Sequence, residues 1–140
     1  MTGPEPALGS GVLLVDAANV VGSRPTGWWR DRPGAAGRLV ADLRAAVAGG
    51  RLPAPVVVVL EGAARAGAAE GEAGGVRVVH AAGSGDDRMA ALARHAHGSV
   101  RLVSADRALR QRVTDCGGSC VGPGWLHDRV DGVAKPRSQG

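Results

Sequence analysis

Gly11-Val12-Leu13-Leu14-Val15-Asp16-Ala17-Ala18-Asn19 decides how this chain is read. Four consecutive large apolar residues run straight into a carboxylate, with a carboxamide three positions later. An apolar run without alternation is the mark of a strand buried on both faces, as in a parallel sheet. Asp16 then stands where the strand leaves the sheet. Open α/β sheets bind ligands in the crevice at that carboxyl end. Two readings of Asp16 and Asn19 are open at this point: they stabilise a turn by bonding nearby backbone N–H groups, or they hold and orient a ligand.

Working outward, the same grammar recurs. Val56-Val57-Val58-Val59-Leu60 is a second unalternated run, opened by Pro53-Ala54-Pro55 and closed by Glu61. Val76-Arg77-Val78-Val79-His80 and Val100-Arg101-Leu102-Val103 are the third and fourth strands, and Ser119-Cys120-Val121 a short fifth. Between the first two lies a Gly/Pro-marked loop, Val20 to Pro33, and then a helix over Gly34 to Ala48 with Leu39, Val40, Leu43 and Val47 at helical spacing. Gly62 to Gly75 has little to bury and reads as a loop, at most with a weak helical turn. Ser84-Gly85-Asp86-Asp87 has the form of a capping box ahead of a helix that buries Met89, Leu92 and Ala93. Asp106 opens another helix, with Leu109 and Val113 on its inner face. Trp125 and Leu126 close the core. Alternating strands and helices imply a parallel α/β sheet with right-handed crossovers. Residues 11–127 form one domain, between a disordered lead-in over 1–10 and a polar, disordered tail over 128–140.

With 140 residues, 44% hydrophobic and 21% charged, the chain suits one globular domain with one core. No apolar run approaches the roughly 18 residues of a membrane helix, and the N-terminal residues lack the basic region of a secretory signal. A cytoplasmic protein with no membrane partner is expected, and in that setting Cys116 and Cys120 are two reduced thiols. Net charge is +4, and 16 of the 17 basic residues are arginine, the side chain that grips phosphate with two prongs. With no Phe or Tyr, aromatic contacts to bases fall to Trp28, Trp29 and Trp125.

Three strands end in acids: Asp16, Glu61 and Asp106. Asp86 and Asp87 start the helix after the third strand. Parallel strands deliver all of these to one edge. Crowded carboxylates raise one another's pKa unless a cation neutralises them. Oxygen-rich clusters suit Mg²⁺ or Mn²⁺, and two such ions about 3.5–4 Å apart serve many nucleases and phosphatases. Each acid also has a plainer role. Asp106 suits an N-cap, Asp86 and Asp87 favour a helix dipole, and Glu61 suits a solvated loop. Other chemistries lack their signatures. No Gly-x-x-x-x-Gly-Lys loop, no Gly-x-Gly-x-x-Gly after the first strand and no nucleophile elbow is present. His80, His95, His97 and His127 lack the spacing of a helical zinc site.

Leu-Val-Asp16-Ala-Ala-Asn19-Val-Val-Gly, Val-Val-Leu-Glu61, Gly-Asp86-Asp87-Arg88 and Val-Ser104-Ala-Asp106-Arg107 together resemble the NYN domains of the PIN-like nuclease superfamily, closest to the bacterial YacP-type branch. The resemblance spans Gly11 to Leu126. It implies a single Rossmann-like PIN domain, with about five parallel strands in the order 3-2-1-4-5, and metal-dependent cleavage of RNA. Asp16, Asp86, Asp87 and Asp106 are then the metal ligands for Mg²⁺ or Mn²⁺. Asn19 orients substrate or water, and Glu61 and Ser104 support. Glu61 departs from the pattern, which usually has Asp there. Arg30, Arg32, Arg88 and Arg107 are candidate phosphate clamps. No added RNA-binding domain is visible, so target choice is expected to rest on a partner, a targeting protein or the ribosome. Beside this endoribonuclease reading stand two others: an inactive PIN-like module that binds RNA or nucleotide, and a hydrolase of small nucleotide phosphate esters.

Overall fold

The computed structural model describes residues 11–132 apart from Gly98; the lead-in over 1–10 and residues 133–140 of the expected tail lie outside the described residues. The apolar runs become strands β1 (Val12–Asp16), β2 (Val56–Leu60), β4 (Val76–His80), β5 (Val100–Val103) and β6 (Ser119–Val121), with β3 (Gly71–Ala73) added. The helices are α1 (Ala17–Gly22), α2 (Arg32–Ala48), α3 (Gly85–His95), α4 (Arg107–Asp115) and α5 (Pro123–Val130). Short 3₁₀ turns cover Trp28–Arg30 and Gly62–Gly67.

The sheet runs β3-β4-β2-β1-β5-β6, parallel except for β3. Its five parallel members stand in the order expected from the sequence. All five residues of β1 and of β2 are buried, because helices cover both faces of the sheet. Leu13, Val15, Val56, Val58 and Leu60 pack with Val20 of α1, Val40 and Leu43 of α2 and Leu126 of α5. Val12, Leu14, Val57 and Val59 point the other way, to Met89 and Ala93 of α3 and to Leu109 and Val113 of α4. Successive side chains of a strand leave on opposite faces, so an unbroken apolar run is what two helical layers demand. Each fully buried Leu or Val contributes about 1.5–3 kcal/mol over its exposed state.

Three elements differ from the sequence reading. The supposed loop after β1 starts as α1: Asp16 Oδ1 accepts from Asn19 N at 3.2 Å and caps a six-residue helix. Gly62 to Gly75 carries both a 3₁₀ turn and β3, which pairs antiparallel with β4. The hairpin turns on Gly74 and Gly75, with φ of 61° and 80°. Positive φ at two successive residues is the requirement of the tightest hairpin turns, and glycine meets it without strain. Last, α5 extends to Val130, so the residues from Asp128 onward begin as helix rather than tail. Cys116 and Cys120 are free thiols.

Candidate active site at the carboxyl edge of the sheet

Register assembles the site. Val15 pairs with Val103, so the next residues, Asp16 and Ser104, leave β1 and β5 side by side. Both are buried, and they are the two buried polar residues among those described. Ser104 Oγ donates to Asp16 Oδ2 at 2.8 Å and accepts from Asp106 N at 3.0 Å. Asn19 Oδ1 accepts from Ala105 N at 2.7 Å, which fixes the amide's orientation, since only its oxygen can face a donor. Two turns 86 residues apart in sequence are thereby stitched together. Asp106 Oδ1 accepts from Leu109 N at 3.0 Å and caps α4.

The neighbouring turns bring further acids. Ser84 Oγ accepts from Asp87 N at 3.3 Å, closing the cap of α3. Glu61 Oε1 accepts from Gly85 N at 2.5 Å, so the acid after β2 ties that strand to the first turn of α3. A Cβ on Gly85 would stand 2.8 Å from Glu61 Oε1; glycine here makes room for the carboxylate. Asp86 makes no hydrogen bond or ion pair among the described residues and is half-buried. Asp87 turns away and pairs with Arg112 at 3.0 Å.

The charges interact. Burial holds the Asp16 carboxyl above its ordinary range; the bonds from Ser104 and Asn19 pull it down, and the charges of Asp86 and Asp106 push it up. Burial also raises Asp86, with Asp106, Glu61 and Asp87 adding to the rise and Arg112 opposing it. Asp16, Asp86 and Asp106 therefore sense one another electrostatically, and each gains from a cation nearby.

Among the described residues no three His, Cys, Asp or Glu side chains form a group able to hold a metal ion. The edge is open carboxylate oxygen, not a closed cage. That donor set fits Mg²⁺, which keeps waters and is usually bound by one or two carboxylates together with substrate phosphates.

The candidate arginines divide. Arg88 and Arg107 are exposed, on α3 and at the first residue of α4. Arg30 and Arg32 rest on tryptophans, with Arg30 Cζ 5.6 Å from the Trp29 ring and Arg32 Cζ 5.4 Å from that of Trp28. Trp125 is half-buried against the core, with Arg129 Cζ 4.0 Å from its ring. His95 and His97 are exposed. His80 and His127 have structural partners in Ala68 O and Ser23 Oγ, at 2.7 and 2.8 Å.

No protein-family model matches the chain, and no curated protein does. Among solved structures it is similar to Rae1 (YacP) from Bacillus subtilis, crystallised as a W164L mutant, with a TM-score of 0.64 and 18% identity over 89% of this chain and 77% of that one. The fold is YacP-like. At this identity the likeness speaks for architecture, and the YacP-like arrangement is the doubly covered, mostly parallel sheet described above. Among the described residues no helix is long and apolar enough to cross a membrane.

Proposed function

We propose that this protein is a PIN-like NYN endoribonuclease that uses Mg²⁺ or Mn²⁺ to hydrolyse phosphodiester bonds. The observation that carries the reading is the Asp16–Ser104–Asp106 link at the carboxyl edge of the sheet, beside Asp86, which has no hydrogen bond or ion pair among the described residues. The likeness to a YacP structure agrees with the branch that the sequence motifs resemble.

In this reading one or two of Asp16, Asp86 and Asp106 would hold the divalent ion together with the phosphates of the substrate, and Asp87 would be a further ligand once it leaves Arg112. When bound, such an ion supplies charge stabilisation and acidifies water. The chain's own residues do the positioning. Ser104 fixes the rotamer of Asp16, and Asn19 holds the β5–α4 turn so that Asp106 stays beside it. Glu61 supports from outside by anchoring the first turn of α3, where Asp86 sits. Arg88 and Arg107 grip the phosphates flanking the scissile bond. The substrate is RNA, met in the cytoplasm, with target choice set by a partner such as a targeting protein or the ribosome.

The other reading with an observation behind it is a non-cutting RNA-binding module. Asp16, Asp106 and Glu61 each already accept from a backbone N–H, as purely structural caps do. Labelled single-stranded RNA and free nucleotides, each incubated with Mg²⁺ or Mn²⁺, separate the possibilities. Cleavage of RNA by the wild type and not by Asp16→Asn supports the nuclease. Binding without cleavage supports the module, and turnover of free nucleotides alone supports a small-ester hydrolase.

A further inference from the structure

The loop between α1 and α2 carries a group of side chains that the acidic edge does not explain. Gly27, with φ of 77°, starts the 3₁₀ turn Trp28–Arg30. Arg30 N donates to Gly27 O at 3.0 Å and Asp31 N to Trp28 O at 3.1 Å, so backbone bonds close the turn. Trp28 is the anchored ring. It is half-buried, and a Cβ on Gly22 at the end of α1 would stand 3.6 Å from its Cζ2. Trp29 is the presented ring: it is 53% exposed and meets Trp28 edge-on, with centroids 5.9 Å apart. Arg30 Cζ lies 5.6 Å from the Trp29 centroid, and Arg32 Cζ 5.4 Å from that of Trp28. Neither guanidinium has an ion pair among the described residues. Asp31, between them, accepts from Gly34 N at 2.9 Å at the start of α2.

We infer that Trp29, seated on Trp28 and flanked by Arg30 and Arg32, is a stacking platform that makes the protein bind single-stranded RNA in preference to duplex; the nuclease reading supplies the choice of RNA. Two properties of the patch point to a nucleic-acid strand. Rings carrying guanidinium groups offer a base a π-face and the adjoining phosphate a cation, the combination that single-strand binders use. A protein partner calls for a larger apolar centre with few charges. Trp29 is the one exposed large apolar side chain among the described residues, and Arg30, Asp31 and Arg32 follow it in the chain.

The platform flanks the acidic edge. Trp28 and Arg32 border a small cavity with Ala17, Ala18 and Glu61. Ala17 directly follows Asp16, and Glu61 holds the first turn of α3, where Asp86 sits. Stacking needs an open base face. Bases within a duplex are covered by their neighbours, and what the duplex offers outward is phosphate, ribose and groove edges. The carboxylates repel phosphate when no cation is bound. In the absence of metal, the platform is therefore the part of this edge that holds RNA, and it holds an unpaired strand.

The test is fluorescence anisotropy in EDTA at low salt, with the full chain, a labelled single-stranded RNA of mixed sequence and the same RNA annealed to its complement. The single strand is expected to bind about tenfold more tightly than the duplex and to quench tryptophan emission. Trp29→Ala is expected to weaken the single strand about tenfold, the worth of one stacked base, and to leave duplex binding as it was. Trp29→Leu, apolar but without a π-face, is expected to lose as much. Trp29→Phe keeps a face and is expected to stay within about threefold of the wild type, while most of the quench disappears. Circular dichroism checks that each variant is folded. Equal affinity for single strand and duplex, or no binding of either, overturns the inference. So does wild-type binding by Trp29→Leu, which would mark the residue as an apolar contact of the kind a protein partner uses. Cleavage assays keep the two readings apart. A single-strand preference lost in Trp29→Ala, with no cleavage in Mg²⁺ or Mn²⁺, leaves the platform and removes the nuclease. Cleavage of single strand and duplex alike, with binding untouched by Trp29→Ala, does the opposite.

Discussion

Ser104 holds Asp16 by a buried 2.8 Å hydrogen bond across the junction of β1 and β5. The hydroxyl spends its one proton on Asp16 Oδ2 and its lone pair on Asp106 N. Ser104 therefore sets the relative position of the two acids, and an alanine there leaves a buried carboxylate oxygen and a backbone donor without partners.

For Ser104→Ala a loss of about 1–3 kcal/mol is expected, the cost of stranding buried polar groups. The Asp16 carboxyl should rise still further, because the bond from Ser104 is the strongest influence pulling it down. Urea denaturation measures the first effect and carboxyl NMR titration the second. An unchanged midpoint would show that the link is incidental.

Gly85 and Glu61 make a coupled pair. In the wild type, Gly85→Ala places a methyl 2.8 Å from Glu61 Oε1, and the carboxylate has to swing off Gly85 N. The hydrogen bond so lost is worth about 0.5–1.5 kcal/mol. In a Glu61→Ala background the obstacle is gone, and the helix-forming advantage of alanine, up to about 1 kcal/mol, is left. The same substitution should then change sign. Melting curves of the four proteins in the cycle test this, and additivity would contradict it.

His127 is expected to make the protein's stability sensitive to acid. Ser23 Oγ donates its proton to Val20 O at 2.6 Å, so it accepts from His127 Nε2 at 2.8 Å, and the ring is the Nε2–H tautomer. Burial, then the Arg24 charge, hold its pKa below the ordinary 6.5; Asp131 and Val20 O oppose them in part. A histidine with a lowered folded pKa contributes stability that is complete above about 6.5 and is lost as pH falls through the folded value. The Tm of the wild type should fall from pH 7.5 to 5.5 by more than that of His127→Gln, which keeps a donor to Ser23. Parallel pH profiles would rule this out.

The fold was legible because burial on both faces writes itself into β1 and β2 as unbroken apolar runs, and because Ser84 and Asp106 cap the helices that their side chains announce. What escaped had weak or distant causes. α1 is six residues long and rests on one cap. β3 is Gly-Glu-Ala, fully exposed, and only Gly74-Gly75 before Val76 hinted at a hairpin. The pairings of Asn19 with Ala105 and of Glu61 with Gly85 join residues far apart in sequence, and residue type alone gives no register. Arg30 and Arg32 read as phosphate clamps from charge; the tryptophans beside them are what the fold adds. The acids stand out in the sequence by their position at strand ends, whereas the turning of Asp87 toward Arg112 depends on how α3 packs against α4.

Asp16 offers the sharpest test of the metal reading. Its carboxyl is raised by burial and by Asp86 and Asp106, against the pull of Ser104 and Asn19. An acid whose folded pKa lies above its unfolded value contributes stability that is complete below the unfolded pKa, here 3.8, and is lost as pH rises through the folded one. At pH 7 in EDTA the ionised Asp16 is thus a net burden, and Asp16→Asn should match or exceed the wild type in Tm, with no such advantage below pH 3.8. The asparagine keeps an oxygen for Asn19 N, so the cap of α1 survives. On the metal reading, divalent ions bind the folded acidic edge and not the unfolded chain. Mn²⁺ at a hundred times its dissociation constant should stabilise the wild type by about 2.7 kcal/mol, and the mutant should lose most of that gain. A capping role alone gives the reverse pattern: a cost of about 1 kcal/mol on substitution and indifference to Mn²⁺ in both proteins. Melting curves of the two proteins with EDTA and with Mn²⁺ decide, and the reverse pattern would leave an RNA-binding module with capped helices at its carboxyl edge.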